Sequence, residues 1–308
     1  MWPDFFIVGA PKCGTTALSE YLRAHPQVGF SRPKEPHYFC TDFSPRFGQV
    51  STEDEYRACF AHVPGNVRAI GEASVWTMFS NEAVPNLLRV APHARLIAMI
   101  RNPIDLVRSH HTQLLYTRDE TVADLAAAWA LQGERAAGRS LPRSCREPRI
   151  LQYAQVAALG TQVARLRALV PAERLHVIVF DDLVRDPGAV YARVLGFLDL
   201  PDDGQHNFTV INEAREHRST LLGDFVQRPS PGLVRTALAL RDRLGLRRLG
   251  VLDRLREWNT QPSAKSSIAP ALRVEIAAVL RDDVALLSDQ LGRDLRAWLD
   301  PSGSGTRS

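Results

Sequence analysis

The stretch Phe5-Phe6-Ile7-Val8-Gly9-Ala10-Pro11-Lys12-Cys13-Gly14-Thr15-Thr16 decides how the chain reads. The apolar run 5–8 has the character of a buried strand. Gly9 and Gly14 keep the G-x-x-x-x-G spacing of a phosphate loop, and Thr16 stands at its hydroxyl position. Thr15 occupies the place where an ATP-binding loop carries lysine. The only lysine of the loop is Lys12, at the apex. A strand feeding a glycine turn that opens a helix makes an anion site from backbone N–H groups and the helix dipole. Here the donors come from residues 12–16, with the Thr15 and Thr16 hydroxyls added. Lys12 supplies a mobile point charge. A phosphate cradle with a displaced lysine points to a phosphate-bearing donor other than ATP. The plainer alternative is a tight turn in which Gly14 serves only packing. Cys13 reads either as a thiol activated at a helix N-terminus or as a side chain turned away whose N–H binds phosphate; the second is the simpler reading.

Outward from this loop, apolar strand-like runs alternate with helical patterns. Strands are predicted at 5–9, Ala69–Gly71, Arg95–Ile100 and Leu175–Phe180. Helices are predicted at 15–24, 81–90, 103–116, 121–137, 149–170, 187–198 and 270–289. Residues 140–148 read as a loop, and 201–232 as excursions near a site. The alternation predicts an α/β fold: a P-loop-type three-layer sandwich whose central, mainly parallel sheet is flanked by helices. A single domain is expected over 1–300, with a flexible Gly/Ser-rich tail at 301–308.

Composition narrows the function. No apolar run is long enough for a membrane span. The first strand starts a few residues after Met1, which predicts no secretory signal and a cytoplasmic location. Cys13, Cys40, Cys59 and Cys145 have neither C-x-x-C spacing nor a dense framework, which argues against structural zinc. The net charge of +4 suits anionic ligands but is too small to imply nucleic acid. Positive charge is almost all arginine, which makes Lys12 and Lys34 conspicuous among only three lysines, the third being Lys265. Nothing in the sequence sets an oligomeric state.

Two further segments carry candidate chemistry. The strand Arg95–Ile100 runs into Arg101-Asn102-Pro103, and Ser109 lies two turns into the next helix. Ligands of open α/β sheets bind beyond the carboxyl ends of strands, which puts Arg101 at the ligand edge. A second phosphate, remote from the loop, would explain Arg101 and Ser109; a helix end or a surface carboxylate would also explain the arginine. Prolines 33 and 36 keep Lys34, Glu35 and His37 out of regular helix. Glu35 could serve as a base for an attacking hydroxyl. A carboxylate pKa of roughly 4 against roughly 16 for a water-like hydroxyl makes full prior deprotonation cost about 16 kcal/mol. Proton transfer would therefore accompany bond formation. His37 could assist or hydrogen-bond the acceptor; the plain alternative is an exposed loop with a Lys–Glu pair.

Taken together, these segments resemble sulfotransferases that use 3′-phosphoadenosine 5′-phosphosulfate (PAPS), and especially bacterial relatives of the heparan sulfate branch. The resemblance rests on Ile7–Leu18, Lys34-Glu35-Pro36-His37-Tyr38-Phe39, Gly71-Glu72-Ala73-Ser74 and Arg95–Tyr116. Weaker likeness continues at Arg149–Tyr153, Val179–Leu183 and Leu291–Leu299. It implies that Lys12, Cys13, Gly14, Thr15 and Thr16 bind the 5′-phosphosulfate, and that Arg101 and Ser109 bind the 3′-phosphate. It also implies that Glu35, Lys12 and His37 act in catalysis, with Glu35 as general base. The implied reaction is in-line sulfuryl transfer to a hydroxyl of a small-molecule or glycan-like acceptor, leaving PAP, with no metal required. The chain departs from the pattern at Ala73, where some relatives carry lysine, and at Cys40, where some carry Asp. Lys265-Ser266-Ser267 is a weak match to a cofactor-clamping loop.

The competing reading is a P-loop kinase or other NTPase using Mg-ATP, with Asp181 at the end of an apolar strand as metal ligand. A third concerns 228–256, where eight arginines alternate with leucines. Such a segment can make peripheral contact with an anionic membrane, grip an acidic partner, form an ordinary solvated helix, or serve as an acceptor-recognition lid. The pair His110-His111 lacks metal-ligand partners and reads as packing or surface residues.

Overall fold

The computed structural model describes residues 2–48, 50–208, 215–217, 260–262 and 268–300. Five parallel strands form the central sheet: β1 (Phe5–Gly9), β2 (Val28–Phe30), β3 (Ala69–Ala73), β4 (Arg95–Ile100) and β5 (Leu175–Val179). Their order is β2-β3-β1-β4-β5. Every residue of β1 is buried, which is why the run is apolar without alternation. Helices flank the sheet, as expected.

The strand order places the site. The connection after β1 leads to one edge of the sheet, and the connection after β4 leads to the other. The crevice beyond the carboxyl ends of these neighbouring strands is the topological switch point. Residues 10–14 line one side of it and Arg101–Asn102 the other. Ala10 N donates to the Met99 carbonyl at 2.7 Å, so the loop is tied to β4 at its root.

Helix α1 (Thr15–Ala24) follows the loop directly. Helices α2 (Glu53–Ala58) and α3 (Ala83–Val90) come before β4. Asn102 caps α4 (Pro103–Thr117) by accepting from the Ile104 N–H at 2.9 Å, with Pro103 at the first helical position. The long helix expected over 121–137 is instead α5 (Leu125–Ala130) and α6 (Gln132–Ala136). Buried Glu120 accepts from Thr121 N and Val122 N, which holds the chain out of helix until Asp124 caps α5. The expected helix over 149–170 is likewise divided into a 3-10 turn, α7 (Tyr153–Ala157) and α8 (Leu159–Leu169). Gly160 N binds Asp283 of the later helix at 2.7 Å, and a Cβ on Gly160 would meet the Asp283 carbonyl at 2.1 Å. That close crossing needs glycine near the start of α8.

The strand expected over 175–180 ends one residue early, and Phe180 begins α9 (Phe180–Arg185). Helix α10 (Pro187–Phe197) follows. Beyond it, β6 (Arg215–His217) pairs antiparallel with β7 (Thr260–Pro262), and α11 (Pro270–Leu291) leads to a final 3-10 turn at Arg296–Leu299. The basic segment 228–256, Lys265–Ser267 and the tail 301–308 lie outside the described residues. Among the described residues, no helix is long and apolar enough to cross a membrane.

Candidate functional site

The loop after β1 turns through two left-handed residues, Lys12 (φ 63°) and Gly14 (φ 85°). Gly14 is required twice over: by its φ, and because a Cβ there would lie 2.8 Å from the Phe180 ring. The turn delivers the chain into α1 at Thr15, so the first-turn N–H groups have no intrahelical partners. Thr15 is buried and Thr16 half-buried. Cys13 is fully buried, its Sγ lies 3.5 Å from the Pro11 carbonyl, and burial pushes its thiol up to about 12. The thiol is thus inert, which leaves only its backbone N–H for an anion.

Lys12 Nζ donates to Gln113 Oε1 at 3.1 Å. Burial, and then the Arg101 charge, lower the Lys12 pKa from 10.5. Arg101 Nη1 donates to the Lys12 carbonyl at 2.8 Å, and the guanidinium lies 4.7 Å from the centre of the Phe180 ring. Asp105 is 3.8 Å from Nη2. Arg101 Nε is buried and has no hydrogen-bond partner. A buried donor left open beside a phosphate loop fits an anion, so the donor set suits a ligand with two separated anionic groups. Ser109 is half-buried on α4, one turn before Gln113 and on the same face.

On the side of the proposed base, Glu35 is paired with Lys34 Nζ at 2.9 Å and with His37 Nε2 at 3.2 Å. Burial alone would raise the Glu35 pKa, but Lys34 and His37 outweigh it and hold the carboxyl at about 2. Glu35 also lies close enough to act electrostatically on Lys12. His37 has φ 54°, and its N–H donates to Ser74 Oγ at 3.0 Å. His37 Nδ1 is buried without a partner. Ser74 in turn contacts buried Glu72, which accepts from Tyr56 OH at 2.6 Å and whose pKa is raised by burial.

The structure therefore assembles Lys12, Gly14, Thr15 and Arg101 around one crevice, with Lys34, Glu35 and His37 as a second cluster in electrostatic reach of it. Sequence reasoning missed Gln113, Phe180, and the roles of Glu72 and Ser74. Gln113 could have been found from its i+4 spacing to Ser109; Phe180 could not, because it ends an apolar run that reads as strand. Ala73 and Cys40 are both buried among core residues. Asp181 accepts from Trp298 Nε1 at 3.1 Å, a structural engagement unlike an open metal ligand. His110 and His111 each bond a main-chain carbonyl within the interior, as packing residues do. Among the described residues, no group of three or more His, Cys, Asp or Glu could hold a metal ion.

The sulfotransferase domain family matches residues 2–219. This chain belongs to that family. A sulfotransferase from Alicyclobacillus acidocaldarius has the same fold, with a TM-score of 0.69 and 27% identity over 97% of this chain and all of that one. Mouse carbohydrate sulfotransferase 15 is 33% identical over 152 residues, covering 35% of this chain and 27% of that protein. Human bifunctional heparan sulfate N-deacetylase/N-sulfotransferase 3 is 28% identical over 203 residues, covering 64% of this chain and 22% of that protein. This sulfotransferase-family chain thus spans about a quarter of the length of these two curated relatives.

Proposed function

We propose that the chain is a PAPS-dependent sulfotransferase acting on a hydroxyl of a glycan-like or small-molecule acceptor. Family membership supports sulfuryl transfer, and relatives named for carbohydrate and heparan sulfate support a glycan-like acceptor. The observation that carries the donor assignment is Arg101: it is bonded to the phosphate loop through the Lys12 carbonyl, yet keeps a buried N–H open.

The donor, when bound, supplies the activated sulfuryl group. The N–H groups of residues 12–16 and the Thr15 and Thr16 hydroxyls hold its 5′ end at the start of α1, where the helix dipole favours negative charge. Arg101 and Ser109 take the 3′-phosphate. Lys12 exchanges its bond to Gln113 for the oxygen on which negative charge develops, and preorganised charge of this kind is the largest catalytic contribution. Glu35 removes the acceptor proton as the new bond forms. A carboxylate held at about 2 is a weak base in the resting site, so its usefulness depends on release from Lys34 or His37 when the acceptor enters. His37 Nδ1 offers the acceptor a further hydrogen bond.

The kinase reading is not favoured. Thr15 stands in place of the ATP lysine, and Asp181 is engaged by Trp298. Incubation with ³⁵S-labelled PAPS and a panel of carbohydrate and small-molecule alcohols tests the proposal. Acceptor-dependent transfer of label supports it; label that stays on the nucleotide with every acceptor, while γ-labelled ATP gives transfer, contradicts it.

A further inference from the structure

The final 3-10 turn, Arg296–Leu299, lies almost two hundred residues after the loop that follows β4, yet it reaches both walls around Arg101. Trp298 is buried, 5% exposed, and its carbonyl accepts from Asn102 Nδ2 at 2.9 Å. Its indole Nε1–H donates to Asp181 Oδ2 at 3.1 Å. Asn102 directly follows Arg101, and Asp181 directly follows Phe180, the ring stacked on Arg101. One residue therefore bonds the chain neighbours of both members of the stack. The turn is anchored as well: Arg293 pairs with Asp182 at 2.6 Å, and Leu295 N donates to Ser288 Oγ at 3.1 Å.

We propose that Trp298 is a positioning residue for the donor site, holding the loop after β4 and the start of α9 in the register that aims Arg101 at a 3′-phosphate. The inference rests on the assignment of Arg101 to that phosphate. Phe180 fills the space beside Gly14, so a displacement of α9 moves one wall of the phosphate loop as well as the ring beneath the guanidinium. Asn102 spends its side-chain oxygen on capping α4 and its amide N–H on Trp298, so the cap and the brace are one unit. A cation over an aromatic face interacts strongly only within about 6 Å, which leaves little slack for the pair.

The test compares PAP with AMP, which lacks only the 3′-phosphate, by calorimetric titration of the full chain. The wild type is expected to prefer PAP, and Arg101→Ala to lose most of that preference, Ser109 keeping the remainder. Trp298→Phe removes the indole donor and keeps an aromatic ring. It is expected to cut the PAP/AMP affinity ratio about fivefold, while AMP affinity stays within about twofold. Asp181→Ala should reproduce the loss, whereas Asp181→Asn, which retains an acceptor oxygen, should keep the ratio near wild type. A wild-type ratio in both Trp298→Phe and Asp181→Ala overturns the inference. Equal weakening of PAP and AMP also overturns it, since that is a general structural effect. A PAP/AMP ratio that Arg101→Ala leaves at the wild-type value is a different failure: it removes the assignment of Arg101, and this inference with it.

Discussion

Arg101 Nη1 donates to the main-chain oxygen of Lys12 at 2.8 Å, so the loop after β4 grips the apex of the phosphate loop. Under the proposed donor assignment, one side chain shapes the first anion site and forms part of the second. Arg101→Ala should weaken PAP binding by about 2 kcal/mol, roughly thirtyfold in Kd, and AMP binding clearly less. Arg101→Lys should recover little, because an ammonium cannot reproduce the guanidinium fork. Titration of both nucleotides against the three proteins checks this.

Lys12 is half-buried next to Arg101, and both its partial burial and that neighbour favour its neutral form. Its charge is therefore lost below the ordinary value of 10.5 as pH rises. Turnover should fall on the alkaline side with an apparent pKa below 10.5, and Lys12→Arg, if active, should lose that limb. Lys12→Ala should cost about 10²–10³ in kcat. A pH–rate profile of the three proteins measures both effects.

Glu35 is held ionised by Lys34 and His37 against the opposing effect of burial. Its folded pKa is depressed to about 2, so the contribution of this cluster to stability is present above the unfolded value of roughly 4.3 and is lost as pH falls through about 2. Between pH 5 and 8 no titration of Glu35 should appear in the rate profile of the free enzyme. Glu35→Gln should lose about 10²–10⁴ in kcat while PAP affinity stays near wild type. Near-normal turnover in that variant would remove Glu35 as the base.

Away from the crevice, Arg135 and Glu120 form a two-pronged ion pair at 2.6 and 2.8 Å with both side chains fully buried, and Tyr153 OH adds a bond at 2.8 Å. Arg135→Met leaves a buried carboxylate without its cation and should destabilise the fold by about 3–5 kcal/mol. The double replacement Arg135→Met with Glu120→Gln should cost less than the single one. Urea unfolding of the two variants distinguishes them.

The sequence made the centre of the fold readable because its strands are buried on both faces. Phe5–Gly9 and Leu96–Ile100 are apolar throughout, and both strands fall where expected. The edge strand Val28–Phe30 has only three residues and carries no pattern to detect. Helix α2 was overlooked although Thr52 and Glu55 spell its capping box. The breaks within 121–137 and 149–170 come from buried Glu120 and from the crossing of Gly160 over Asp283, tertiary contacts that local periodicity does not encode. At the site, glycine and lysine spacing marked the phosphate loop because backbone conformation demands it. The clamp between Lys12 and Gln113, the Phe180 ring under Arg101, and the support of His37 by Ser74 join distant parts of the chain and become visible only in three dimensions.

The most direct test of the account is a calorimetric titration of the wild-type chain with PAP in EDTA, set beside ATP with Mg²⁺. The account predicts one-to-one PAP binding that needs no divalent cation and is far tighter than that of Mg-ATP. Tight Mg-ATP binding that PAP does not displace would contradict it.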